Sequence, residues 1–122
     1  MEQLINLFKV LSDETRLRLM SLLIKRDFCV CELTEILEVS QPKISKHLSK
    51  LRDLGFVETH KSARFVYYRM AIDDVLLNPF LSLLSDTAES DETLKKDASR
   101  VPSCTLDNII QKHKKTDKGD SQ

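Results

Sequence analysis

Apolar positions along the first two thirds of this 122-residue chain change period in a fixed order: helical, then alternating, then helical again. Leu4, Leu7, Phe8 and Leu11 form a first helical stripe that ends near Ser12. Ser12 stands as the N-cap of a second helix, with Asp13 and Glu14 in its first turn and Lys25 and Arg26 in its last, each favourable to the helix dipole. Leu17, Met20, Leu23 and Ile24 supply that helix's buried side. Leu33, Ile36 and Leu37 mark a third helix, a polar break follows at Val39-Ser40, and Ile44, Leu48 and Leu51 restart the period before Gly55 stops it. Two short helices joined by a tight turn make a helix-turn-helix pattern.

After Gly55 the period becomes two. Phe56-Val-Glu-Thr-His60 and Phe65-Val-Tyr-Tyr-Arg-Met70 flank Lys61-Ser-Ala-Arg64, which predicts a hairpin with a basic tip. Tyr67 and Tyr68 then face opposite sides, one toward the core and one toward the surface. From Ile72 the helical period returns through Val75, Leu76, Phe80, Leu81, Leu83 and Leu84, too apolar for a lone surface helix, so a partner is the simplest cover. Pro79 marks the expected start of this helix, with Asn78 as its cap. Beyond Ser85 the composition turns polar. Ala88 to Lys96 continue the helix, Arg100-Val-Pro-Ser-Cys104 interrupts it, and Leu106, Ile109 and Ile110 suggest one more short helix before a disordered end from about Lys114.

The second helix of the pair carries the candidate chemistry. Ser40 is placed to accept a backbone N–H as N-cap, and Pro42 falls in the first turn, where its missing N–H costs nothing. With Ile44, Leu48 and Leu51 turned inward, Gln41, Lys43, Lys46, Ser49 and Lys50 face outward with Ser45 and His47 at the edges, a set suited to phosphates and base edges. The competing reading is a solvated amphipathic helix; the cap, the turn and the paired helix weigh against it.

Charge sharpens this picture. The chain is formally neutral, with 19 basic and 19 acidic residues, yet between Gln41 and Arg69 seven basic residues stand against two acidic ones. Such a chain presents a positive face while its acidic remainder discourages indiscriminate binding. At this length one domain with a single core is expected, helped by burial between protomers. No run is long enough to span a membrane and no signal-peptide pattern opens the chain, which points to the cytoplasm.

Three cysteines in that compartment suggest metal binding or redox sensing rather than disulfide staples. In mid-helix, residues two apart point to nearly opposite sides, so Cys29 and Cys31 could hardly share an ion. Cys29, however, stands where Ser or Thr stands in a capping box with Glu32 at N3, so it is expected to be a non-helical N-cap. A small opening of the first turn would then bring the two sulfurs together, and the helix N-terminus favours thiolate. The bland alternative is two small, half-buried cysteines without a role.

Ser40-Gln-Pro-Lys-Ile-Ser-Lys-His-Leu48, followed by Leu51-x-x-x-Gly55-Phe-Val57, resembles the recognition-helix motif of the ArsR/SmtB family of winged-helix repressors. Asp27-Phe-Cys-Val-Cys-Glu-Leu33 resembles the metalloid-binding box of its arsenic-responsive members, and Asp13-Glu-Thr-Arg16-Leu matches the family's opening of the second helix. With the hairpin as wing, the resemblance covers about residues 4 to 84. It implies a mainly α fold with a small β-hairpin, a winged helix-turn-helix that dimerises through its first and last helices. That domain would occupy residues 1–87, its last helix extending to about 98, with a partly disordered tail over 99–122 carrying Cys104. The family's wing often has a glycine at its tip; this one has none.

The implied function is a homodimeric repressor bound to double-stranded operator DNA at an imperfect inverted repeat. The DNA-binding residues would be Gln41, Lys43, Ser45, Lys46, His47, Ser49 and Lys50 on the helix, with Lys61 and Arg64 on the wing. Arsenite or antimonite is the implied inducer, held by Cys29 and Cys31. A familiar arsenic-responsive member has a third cysteine three residues after its second; here that place is Thr34, which leaves Cys104 as the possible third thiol. Two readings keep the fold and change the signal: a cadmium- or lead-type soft-metal sensor, and a thiol-based sensor pairing Cys29 or Cys31 with Cys104 under oxidants or reactive sulfur. Catalysis is disfavoured, since the chain has Cys-x-Cys between helices rather than Cys-x-x-Cys after a strand, and neither a Gly-rich phosphate loop nor a nucleophile elbow.

Overall fold

A computed structural model of the chain describes residues 1–72 and 74–103. The elements run α1 (Glu2–Leu11), α2 (Glu14–Leu23), a short strand β1 (Phe28–Cys29), α3 (Val30–Leu37), α4 (Gln41–Asp53), a hairpin of β2 (Val57–Ser62) and β3 (Phe65–Met70), α5 (Asp74–Ser90) and α6 (Glu92–Arg100), closing in a 3-10 turn at Val101–Ser103. The helix-turn-helix is thus α3 and α4, and the expected hairpin follows it.

The core is the shared inner face of these helices. Leu33 and Ile36 of α3, Ile44, Leu48 and Leu51 of α4, and Leu19 and Leu22 of α2 are at most 1% exposed, with Phe28 and Phe56 closing the ends at 0%. Burial of side chains this size contributes roughly 1.5–3 kcal/mol each before entropy is charged. At the end of α4, Gly55 adopts φ +80° and Phe56 N–H reaches back to Leu51 O at 2.9 Å, so the left-handed glycine reverses the chain into β2.

Several local expectations are corrected. The cap of α2 is Asp13, whose Oδ2 accepts Arg16 N–H at 3.0 Å, because Ser12 turns its hydroxyl back to Lys9 O at 2.7 Å and ends α1. The buried face of α2 includes Thr15, Leu19 and Leu22, whereas Leu17 and Ile24 are only half-buried, and Lys25 and Arg26 lie past the helix end. Ser40 caps α4 by its backbone alone: its hydroxyl makes no cap hydrogen bond, and Pro42 removes one of the two amides it could have accepted from. Pro79 lies inside α5, which begins at Asp74; one missing N–H near the start removes one rung without ending the ladder. Finally, the helix does not continue to 98: it stops at Ser90, and Asp91 caps a separate α6 by accepting Leu94 N–H at 3.0 Å.

The hairpin gains a strand unannounced by the alternation. β1 pairs antiparallel with β3, Phe28 opposite Tyr68 and Cys29 opposite Tyr67, giving a three-stranded sheet in the order β1-β3-β2. Tyr68 packs on the core, while Tyr67 stacks on His60 with ring centroids 5.6 Å apart. At the tip, Ser62 pairs with Phe65 around Ala63 and Arg64, and Ala63 sits at φ +56°, the left-handed region that a glycine would occupy without strain. Replacing Ala63 by glycine is expected to stabilise the protein by about 0.5–1 kcal/mol, seen as a higher urea midpoint at unchanged m-value; a midpoint that stays put or falls would show that Ala63 carries no strain.

Candidate nucleic-acid interface and cysteine site

α4 divides cleanly. Ile44, Leu48 and Leu51 are fully buried, and Gln41, Lys43, Lys46, Ser49 and Lys50 are exposed on the opposite side. Ser45 and His47 are half-buried at the flanks. His47 leans toward α2, its Nε2 3.9 Å from Asp13 Oδ2, and partial burial holds its pKa below the ordinary value despite that carboxylate. It is less available than the exposed lysines of the helix. The Arg16 amide at the cap of α2 in turn holds Asp13 below the usual carboxylate range, so this flank stays charged on the aspartate and neutral on the histidine near pH 7. Lys61 and Arg64 are both exposed at the wing tip. Further down the hairpin, Arg69 Nε meets Glu58 Oε1 at 2.6 Å across the strands, which ties up the third basic residue of the wing.

Cys29 is the residue where sheet and helix meet. It is the last residue of β1, paired opposite Tyr67, and at φ −91°, ψ 163° it is also the N-cap of α3. The capping box is present: the Glu32 backbone N–H is directed at the Cys29 sulfur, and Glu32 Oε1 accepts Cys29 N–H at 3.0 Å. Sulfur is a weak acceptor, so the carboxylate carries most of this reciprocal pair. Glu32 is itself 2% exposed and is neutralised by Arg26, whose Nη2 lies 3.1 Å from Oε2 and whose guanidinium lies 3.9 Å from the Phe28 ring centroid.

One expectation about this site is reversed. A helix N-terminus favours thiolate, yet burial and the adjacent Glu32 carboxylate together push the Cys29 thiol up to about 11, outweighing the Glu32 amide. Cys29 is therefore a neutral thiol, 3% exposed, whereas Cys31 is exposed on the outer side of the first turn. The two thiols share the turn without facing one way. Cys104 lies outside the described residues, and among those described no group of three or more His, Cys, Asp or Glu is poised to hold a metal ion. The entrance is also tied to the wing: His60 Nε2 on β2 and Asp27 Oδ2 are 2.8 Å apart. This contact, like β1, was invisible in the sequence pattern, because it joins residues 33 positions apart.

Known proteins bear on this geometry. Residues 13–59, from the cap of α2 into β2, match the family model described as bacterial regulatory protein, arsR family. An arsenic resistance transcriptional regulator of Pseudomonas putida is 54% identical over 65 residues, which cover 52% of this chain and 50% of that one. An arsenical resistance operon repressor of Staphylococcus aureus is 34% identical over 80 residues, covering 63% of this chain and 77% of that protein. The chain belongs to the ArsR family. This is a family of DNA-binding regulators, not of enzymes, and its fold is the winged helix-turn-helix described above. The homodimeric winged helix-turn-helix DNA-binding domain of a possible ArsR-family regulator from Mycobacterium bovis superposes with a TM-score of 0.60 at 25% identity, over 70% of this chain and 81% of that domain. The chain spans about half the length of the Pseudomonas regulator. Among the described residues, no helix of this ArsR-family chain is long and apolar enough to cross a membrane.

Proposed function

We propose that this protein is a homodimeric transcriptional repressor that leaves operator DNA when arsenite or antimonite binds Cys29 and Cys31, with Cys104 as third ligand. The observation that carries the reading is the double duty of Cys29, which ends β1 and caps α3 at once. A ligand that draws its sulfur toward Cys31 must take it from the Glu32 amide and strain the Cys29–Tyr67 pairing. The first effect opens the turn of a helix packed on α4; the second pulls on the wing. A hundredfold loss of DNA affinity needs about 2.7 kcal/mol of coupling, and because sulfur caps only weakly, most of it must come from the strained Cys29–Tyr67 pairing and the disturbed Glu32–Cys29 amide bond.

DNA is met by Gln41, Lys43, Ser45, Lys46, Ser49 and Lys50 of α4, with Lys61 and Arg64 following the backbone beside it and His47 at the flank. Gln41 and Ser45 read bases; the lysines meet phosphates. The partner protomer covers the apolar face on which Leu4, Ile5 and Phe8 of α1 and Val75 and Leu83 of α5 are exposed. Phe8 and Phe80 join the two helices there, ring centroids 5.9 Å apart in an edge-to-face contact. Two-fold pairing sets the recognition helices roughly 34 Å apart, one turn of DNA, which suits an imperfect inverted repeat.

The neutral Cys29 thiol favours a metalloid over a divalent cation. Arsenite is an uncharged trihydroxide near neutral pH. Each As–S bond forms as an As–O bond breaks, and the thiol proton leaves with the hydroxide as water, so no net proton is released. Cadmium must instead displace the proton from a thiol whose pKa is about 11.

Three tests follow from these arguments. Lys46→Ala should weaken binding to a duplex selected by the wild-type protein from a randomised pool and lower the salt slope by about one unit. Lys114→Ala and Lys115→Ala should do less, and equal effects from helix and tail would overturn the assignment. In a release assay, Cys29→Ser should keep DNA binding because serine caps well, Cys31→Ser because that side chain is exposed, and both should ignore arsenite. Cys104→Ser should lose most of the response if the site has three sulfurs. Arsenite release that survives loss of both Cys29 and Cys31 would sink the site, and release by peroxide through a Cys104 linkage would favour the thiol-sensor reading. Across about pH 6 to 8, cadmium binding should strengthen about tenfold per pH unit for the Cys29 proton alone, with arsenite binding nearly flat; an arsenite midpoint as steep as that of cadmium would count against condensation.

A further inference from the structure

Two arginines from different helices converge on the last turn of α3. Arg18 of α2 donates from Nη2 to Leu37 O at 2.9 Å, and holds both carboxylate oxygens of Asp97 on α6 through Nε and Nη2, at 2.8 Å each. Arg100, the last residue of α6, donates from Nη1 to Ile36 O at 2.6 Å and lies 3.3 Å from Glu38 Oε1. The terminal carbonyls of a helix lack intrahelical partners, and here two of them are taken by guanidinium groups whose positions α6 fixes. Asp97 is 2% exposed and Leu94 5%, so α6 is seated by burial as well as by charge.

The clamped turn stands immediately before the reading head. Glu38, held in the left-handed region at φ +56°, then Val39 and Ser40 are all that separate α3 from α4. A 13-residue helix is about 20 Å long, so a tilt of about 10° at this turn moves its far end by about 3 Å, enough to carry a contact out of hydrogen-bonding range.

We propose that Asp97 and Arg100 are positioning residues for operator recognition, through which α6 sets the angle of α4 by clamping the C-terminal turn of α3. On this reading α6 is part of the DNA-reading machinery, although it touches no DNA. The inference rests on the DNA-binding function proposed above.

The test compares two duplexes at one salt concentration, one selected by the wild-type protein from a randomised pool and the other scrambled. Arg100→Gln and Asp97→Asn should each lose about tenfold on the selected duplex and less than about threefold on the scrambled one, the tenfold corresponding to about 1.4 kcal/mol. Arg100→Lys, which restores a cationic donor, should fall between. Thermal midpoint and sedimentation are followed alongside. Should Asp97→Asn unfold, Arg100→Gln carries the test, because its side chain sits at the edge of the clamp with 19% exposure. Arg100→Gln protein that is folded and dimeric yet binds the selected duplex at full strength overturns the clamp, as does an equal loss on both duplexes. A wild-type protein that enriches no duplex overturns the DNA-binding reading and the clamp with it.

Discussion

One peptide segment, Phe28–Cys29, holds the molecule's two halves in register. It ends the sheet that carries the wing and leads directly into the helix that supports α4, so sheet and helix share one residue, Cys29. The segment is fixed by a small set of charges in low-dielectric surroundings: the buried Glu32 carboxylate accepts the Cys29 amide and is balanced by Arg26, which in turn covers Phe28. Glu32 is buried while Arg26 stays partly in solvent, so the cation balances the carboxylate from the edge of the site and the Cys29 amide satisfies it from within. Both ends of α3 are governed in this way, by a carboxylate at its start and by two guanidinium groups at its finish.

How much of this could be read in advance depends on whether a residue's fate was set locally. α4 was legible because Ile44, Leu48 and Leu51 all face one way and Gly55 alone supplies the backbone that ends it. The hairpin was legible from its alternation, and the capping box at Cys29 from its spacing. β1 was not, since two residues are too few to show a period and the strand exists only because β3 is there to pair with it. Ser12 and Asp13 are both good caps, and what chose between them was a backbone carbonyl one turn earlier that took the serine. The break at Asp91 and the ion pair of Arg18 with Asp97 share the same cause: α6 folds back onto α2 and α3, and a residue separation of 79 leaves no trace in any local pattern.

The cysteine site shows the same division between local and tertiary control. Position predicted a cap with thiolate character, and the cap is present; burial decided the protonation the other way. The basic face of α4 was legible by subtraction, since every position not needed for the core was free to carry it, whereas the turn of His47 toward Asp13 needed α2 in place. Membership of the ArsR family agrees with this reading at the level of the fold, and the match to residues 13–59 covers the segment in which local signals are strongest.

If Cys29 and Cys31 hold the proposed inducer, their unequal exposure sets an order in time. The metalloid of the proposed function would meet exposed Cys31 first, and would reach buried Cys29 only once the first turn of α3 opened. Capture by the outer sulfur would make the second bond an intramolecular event at high effective concentration, so the closing step would run at the pace of a local opening and not of diffusion. Reversal must pass the same door. Under the proposed induction, such a pair would answer a brief exposure incompletely and hold its response to a long one, a duration filter made from one buried and one exposed thiol.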